Sequence, residues 1–316
     1  MAATGNHPRT SIHLDLSRLH RSRKLFAPND STDILVTSLE GLGVELGNRA
    51  MAIGKTQGLS TAMTEFVTRA GTLSAAINYA SHRLTEVMIR HRQIGWMRAM
   101  LAYETKNDVF EQVSDPKAVS WRLFMGIAVK DFHIDISSLM DALALVLIQT
   151  GSKPVSMDKD RLPGWSDVRN KKSYRQQLAH DLLVIIDSTN RWWPAVKEVR
   201  DLVTHREHDR IIFGNSEDGL LFQIYDGRRS PTMLLPQVLY PKGHNVVDFD
   251  LYSAFVIAEM VMLFDDLGTA IAPKMQIPQK GIARMSLRLV EKSVAQSIER
   301  LIQLVGQSGL GGSKQT

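Results

Sequence analysis

"WWPAVKEVRDLVTHREHDRIIF", residues 192–213, changes its period partway along. In the first part Trp192, Val196, Val199 and Val203 step by four, three and four, which draws one apolar stripe along a helix. Pro194 suits the first turn of such a helix, and Asn190 stands where a cap is expected. In the second part "RIIF" has the β-branched and aromatic content of a strand. A helix over residues 192–205 is therefore expected to give way to strand. Two further strand-like runs follow, "LLFQIY" (220–225) and "TMLLPQVLY" (232–240), set apart by the turn-rich "NSEDG" and "DGRRSP". They predict a small antiparallel hairpin or meander between two helices.

Outward from this point the chain reads as helix. Residues 172–188 predict one helix, and 118–150 predict one or two long ones ending at Gly151. Between them lies the loop "GSKPVSMDKDRLPGWSD". Residues 32–101 carry apolar positions at spacings of three and four, enough for two or three helices. A polar break, "YETKNDVFEQVSDPK", separates them from the helical run 118–150, with Pro116 as punctuation. Residues 248–271 and 282–305 are again helical. The expected fold is mainly α: a helical bundle with a small antiparallel β-hairpin insertion and additional N-terminal helices. The expected segments are a flexible basic arm or short helical one (1–30, with "RLHRSRK" at 18–24), an N-terminal helical region (31–115), a helical domain with the hairpin (116–275), a C-terminal helix (276–306) and a disordered Gly/Ser-rich tail (307–316).

Composition narrows the chemistry. The 316 residues suit one large domain or two ordinary ones, and 44% apolar content supplies a core. A net charge of +5 is compatible with nucleic acid or another anionic partner. There are no cysteines, which excludes disulfides, thiolate catalysis and Cys-based zinc sites and is compatible with a reducing cytoplasm. Residues 1–11 lack the pattern of a secretory signal. The greasiest runs, 139–148 and 254–264, are too short to span a bilayer and include or adjoin Asp141 and Glu259, so no membrane is expected.

Familiar motifs fail on spacing. "GLGVELG" (41–47) has the wrong glycine interval for a dinucleotide loop and no preceding strand. "GKT" (54–56) lacks the earlier glycine of a phosphate loop, because Arg49 stands there. No HExxH helix and no Gly-x-Ser-x-Gly elbow occurs. His205, His208 and Asp209 sit close enough to suggest a metal, but spacing supplies no third inward ligand, and neither a metal nor a cofactor is expected.

Arg200 and His205 are the sharper pair. Metal-free RNA cleavage needs a base for the 2′-hydroxyl and a cation for the phosphorane. Histidine titrates near neutrality, and arginine offers a planar fork matched to phosphate oxygens. Asp201 and Thr204 are placed to orient them, with His208 close by. Five positions along an ideal helix differ by about 140° and about 7.5 Å of rise, so sharing a face requires the helix to end near His205. The same spacing recurs in "RQQLAH", Arg175 to His180, within the expected helix 172–188. A second basic surface is "HRLTEVMIRHRQIGWMR" (82–98), where Arg83, Arg90, Arg92 and Arg98 lie near Trp96. It reads either as an RNA-facing surface or as a solvated helix face with snorkelling stems. Trp165, Trp192 and Trp193 are expected core anchors.

The order of elements from 118 to 271, with "RDLVTH" at the end of a helix that precedes strands, resembles the HEPN superfamily of small α-helical bundles. There one helix carries Arg, a polar residue, a few more residues and then His. Arg200, Asp201 and His205 match that form. The resemblance covers about residues 116–275 and leaves 1–115 unexplained. It implies a metal-independent endoribonuclease, of toxin or phage-defence type, acting as a homodimer with the two motifs facing each other. It admits RNA and an antitoxin or other protein as partners. Other members of that family are non-catalytic dimerisation or binding modules, and this alternative stays open.

Overall fold

Asp248 is where strand becomes helix. Its side chain accepts the Leu251 N–H at 3.0 Å, which satisfies a donor that the first turn leaves orphaned. Beyond it Phe249–Ile271 (α9) is apolar around its whole circumference, and every residue from 251 to 264 is buried. Such a helix has to be covered on all sides. Its cover comes from Leu16–Phe26 (α1), Ser38–Gly54 (α2), Thr61–Glu104 (α3), His180–Ser188 (α7) and Lys292–Gln307 (α10). The computed structural model describes residues 14–26, 37–104, 116–151, 162–205, 212–213, 219–223, 237–240, 246–275 and 292–307.

The closest approach in the core is at Gly268. A Cβ placed there would lie 2.1 Å from the Leu39 nitrogen and 2.2 Å from the Ser38 carbonyl carbon. Only a residue without a side chain lets the start of α2 sit this deep against α9. That start is well capped. Thr37 and Glu40 form a reciprocal capping box, Glu40 also accepts the Ser81 hydroxyl at 2.6 Å, and Ser38 donates to Asp265 through both its N–H and its hydroxyl.

The second structural unit is a long antiparallel hairpin. It pairs the 44 residues of α3 with the 35 residues of Pro116–Thr150 (α4). Arg69 reaches the Thr150 carbonyl, Arg90 reaches Asp135, and Trp96 packs edge-on to Trp121, which fixes the direction. Buried His133 ties α4 to α9. Its Nδ1–H donates to the Val129 carbonyl at 2.7 Å, since a carbonyl only accepts, and the Tyr252 hydroxyl donates to Nε2 at 3.0 Å. Burial pushes the Tyr252 phenol well above its ordinary range.

The remaining pieces are short. Trp165–Asn170 (α5), Lys172–Arg175 (α6) and α7 lead to Trp193–His205 (α8). Ile212–Phe213 (β1), Leu221–Gln223 (β2) and Val246–Asp248 (β3) make an antiparallel sheet in the order β1-β2-β3, with Ile212 opposite Phe222 and Leu221 opposite Asp248. The chain is thus mainly α with a small antiparallel β element. Among the described residues no helix is long and apolar enough to cross a membrane.

Several expectations need adjusting. The basic cluster 18–24 is not a free arm. It is helical, and α1 docks on α9 and α10 because Arg18 meets Glu259 (3.1 Å) and Asp266 (2.7 Å) while Arg23 meets Glu299 (2.9 Å). The described residues on either side of the 115/116 boundary share one core cluster, which runs from Leu14 to Val305. The helix expected over 172–188 is broken at residues 176–179, where Ala179 is extended. Both Arg175 Nη atoms grip Asp187, which folds α6 back onto α7. Asn190 caps nothing, as it lies in a 3₁₀ turn, Thr189–Arg191, ahead of α8. The third strand is Val246–Asp248, and within the expected 232–240 run Gln237–Leu239 forms a 3₁₀ turn. The tail 308–316, residues 1–13 and the stretch 276–291 lie outside the described residues.

Candidate functional site at the end of helix α8

Helix α8 has two characters. Val196, Val199 and Val203 are buried, with Trp192 and Trp193 at its start, and this stripe packs on α4 as its spacing requires. The other edge carries Lys197, Arg200, Asp201 and Thr204, all half-buried.

Arg200 is positioned from two sides. Its Nε–H donates to the Ser137 hydroxyl on α4 at 2.8 Å, and Nη1 donates to Asp201 Oδ1 at 2.7 Å. Asp201 is itself held by Lys197 Nζ at 2.7 Å. Arg200 Nη2 has no partner among the described residues. The guanidinium is therefore oriented, 28% exposed, and leaves one N–H edge open, which is the edge a phosphate oxygen takes. Asp201 does steer Arg200, as its position suggested. Thr204 does something else: its hydroxyl donates to the Arg200 carbonyl at 2.7 Å, a bond to the helix's own backbone. The His205 main chain closes α8, while its side chain, His208 and Asp209 lie outside the described residues. Ser137 was invisible in the sequence, being 63 positions away on another helix.

Arg83, Arg90 and Arg98 of the basic helix are occupied. Arg83 donates to Glu86 (2.7 Å) and lies over the Tyr79 ring at 5.1 Å. Arg90 bonds Asp135 (3.3 Å) and Gln93 (2.8 Å), and Arg98 pairs with Asp250. Arg92 is exposed on the same helix. The bonds of Arg83, Arg90 and Arg98 among the described residues go to partners other than Arg200 and its neighbours. Burial raises the Asp135 carboxyl despite Arg90 beside it, and raises Asp248 in the same way. Arg175 is committed to Asp187 and to the Arg169 carbonyl, and His180 opens α7 on the surface.

Among the described residues no group of three or more histidines and carboxylates is arranged to hold a metal ion. A buried polar cluster around Glu259 is structural. Glu259, 3% exposed on α9, receives Arg18 at 3.1 Å and Arg191 at 3.0 Å, and Arg191 continues to Asp15 at 3.0 Å. It clamps α1 and the turn before α8 to the central helix. No family model, curated protein or solved structure matches this chain.

Proposed function

We propose that the chain is a metal-independent endoribonuclease of HEPN type, with Arg200 and His205 as its catalytic pair. The observation that supports this most is Arg200 itself, a cation oriented by Ser137 and Asp201 with one N–H edge open at the end of α8. His205 takes the proton of the 2′-hydroxyl, O2′ attacks phosphorus, and Arg200 balances the charge on the phosphorane. The P–O5′ bond breaks, and a histidine returns a proton to the leaving oxygen. The products are a 2′,3′-cyclic phosphate and a 5′-hydroxyl. Positions 200 and 205 stand about 140° apart on one helix, so a second copy completes the site most simply. A toxin or phage-defence role in the cytoplasm, restrained by a protein antitoxin, fits this chemistry.

The test is purified protein with total RNA in EDTA. Cleavage is expected to persist in EDTA and to fall by roughly 10²–10⁴ in His205→Ala and in Arg200→Ala. Unchanged cleavage by His205→Ala would falsify its role as base.

One observation favours a second reading, a non-catalytic dimerisation or binding module. Arg83, Arg90 and Arg98, candidates in the sequence for either RNA contacts or a solvated helix face, each meet a carboxylate of their own chain. On that reading no RNA is cut, and Arg200→Ala lowers the melting temperature by loosening α8 from α4.

A further inference from the structure

The Ser137 hydroxyl carries a proton that nothing in the described chain accepts. Ser137 is 9% exposed on α4, and its oxygen accepts the Arg200 Nε–H at 2.8 Å. A hydroxyl that accepts still has one O–H to give. Ser120, Ser138 and Thr204 each return theirs to the carbonyl four residues back, at 2.9, 3.0 and 2.7 Å. The Ser137 hydroxyl makes no such bond, and its one partner among the described residues is Arg200. Buried donors are rarely left unpaired, so this one points to an acceptor from outside.

The guanidinium fixes where that acceptor stands. It is planar, and Nε and Nη2 share one edge, along which their N–H bonds run parallel. Ser137 Oγ takes the Nε–H of that edge, and Nη2 has no partner among the described residues. An oxygen placed on Nη2 therefore lies beside Ser137 Oγ, within reach of its proton. Two open donors converge on one point. On the far side Nη1 donates to Asp201, whose charge Lys197 meets again at 2.7 Å. Two cations and one carboxylate leave a single positive charge, so the oxygen that fits is anionic. A carboxylate favours a whole guanidinium edge, with two parallel bonds. With the Nε–H already taken, what remains suits one oxygen of a tetrahedral group.

We propose that Ser137 is a substrate ligand, its O–H and Arg200 Nη2–H holding one non-bridging oxygen of an RNA phosphodiester between them. This deepens the reading of Arg200 as a phosphate-binding cation and rests on it. As O2′ attacks, both donors face an oxygen on which charge grows, and Ser137 keeps its proton throughout.

The test uses the full chain and a short fluorescent RNA carrying 2′-O-methyl groups throughout, which has no free O2′ to attack. By anisotropy, Ser137→Ala is expected to bind about 10-fold more weakly than wild type, and Ser137→Thr, which keeps the hydroxyl, within about 2-fold of it. Ser137→Cys fills the same space with a poor donor and should also bind weakly, a second reading if Ser137→Ala loses its helical spectrum. A serine that only orients Arg200 behaves differently. Alanine then frees the Nε–H, and phosphate takes the whole edge at equal or better affinity. On Arg200→Lys, which keeps a cation without an edge to orient, an orienting hydroxyl costs nothing further when removed, whereas a donating one still costs several-fold. Wild type that does not bind this RNA, Ser137→Ala that binds as well as wild type, or no further loss on Arg200→Lys overturns the proposal. Cleavage is read separately with unmodified RNA. Weakened binding by Ser137→Ala without cleavage by wild type sinks the nuclease and keeps this site. Cleavage by wild type with binding unchanged in Ser137→Ala sinks this site and keeps the nuclease.

Discussion

Helix α9 and the far half of the α3–α4 hairpin are opposites. α9 is sealed on every side, and where it carries a charge in the core, at Glu259, that charge meets two arginines. The hairpin tip shows large apolar side chains to solvent, with its ion pairs at the margin. In the first region polar groups are inside and partnered, as burial requires. In the second, apolar groups are outside and unpartnered, which folding alone does not explain. The two regions are thus expected to differ in what they contribute to stability, and four measurements would test that contrast.

The largest effect is expected at Gly268. A methyl there meets backbone atoms of Ser38 and Leu39, which have no flexible side chain to yield. Gly268→Ala should cost more than about 4 kcal/mol or prevent folding, read by urea denaturation. Next comes Glu259→Ala, which leaves Arg18 with Asp266 and Arg191 with Asp15 as their remaining carboxylates. A loss of about 3 kcal/mol is expected, with faster proteolysis of α1. If this variant is as stable as wild type, the buried clamp is not what holds α1.

Third is acid. Burial among Ser253, Ser293 and Phe249 lowers the His91 pKa from 6.5 to about 4. The unfolded chain therefore binds this proton first. The stability it protects is complete above pH 6.5, declines as pH falls from 6.5 to 4, and is level below that. The decline amounts to about 3 kcal/mol, and His91→Gln should flatten the denaturation midpoint across that window. The smallest effect is expected at the hairpin tip. Leu123→Ser should change monomer stability by no more than about 0.5 kcal/mol, because its side chain already faces water. A drop of several kcal/mol would show that the tip is core after all.

Legibility followed distance along the chain. The α8 stripe and the extent of α9 were readable, because Val196, Val199 and Val203 and the apolar run after Asp248 are local patterns. The break at 176–179 was not, since periodicity continues across it and the cause is Arg175 gripping Asp187, twelve residues on. The docking of α1 was hidden for the same reason. "RLHRSRK" reads as a solvated run until Glu259, 241 residues away, is seen to receive Arg18. At the candidate site Arg200 and Asp201 were found by motif, whereas Ser137, which sets the guanidinium's direction, belongs to another helix and leaves no local signal. The exposed apolar side chains of α3 are masked in the sequence by the arginines and Glu86 interleaved with them.

The Ser137–Arg200 bond also sets a height. Ser137 follows Ile134 by three residues, about 4.5 Å of rise, so the guanidinium is held just beyond the exposed apolar run of α4. Any slide of α8 along α4 would have to break that bond, so the elevation of the cation is tied to the long hairpin and not to α8 alone.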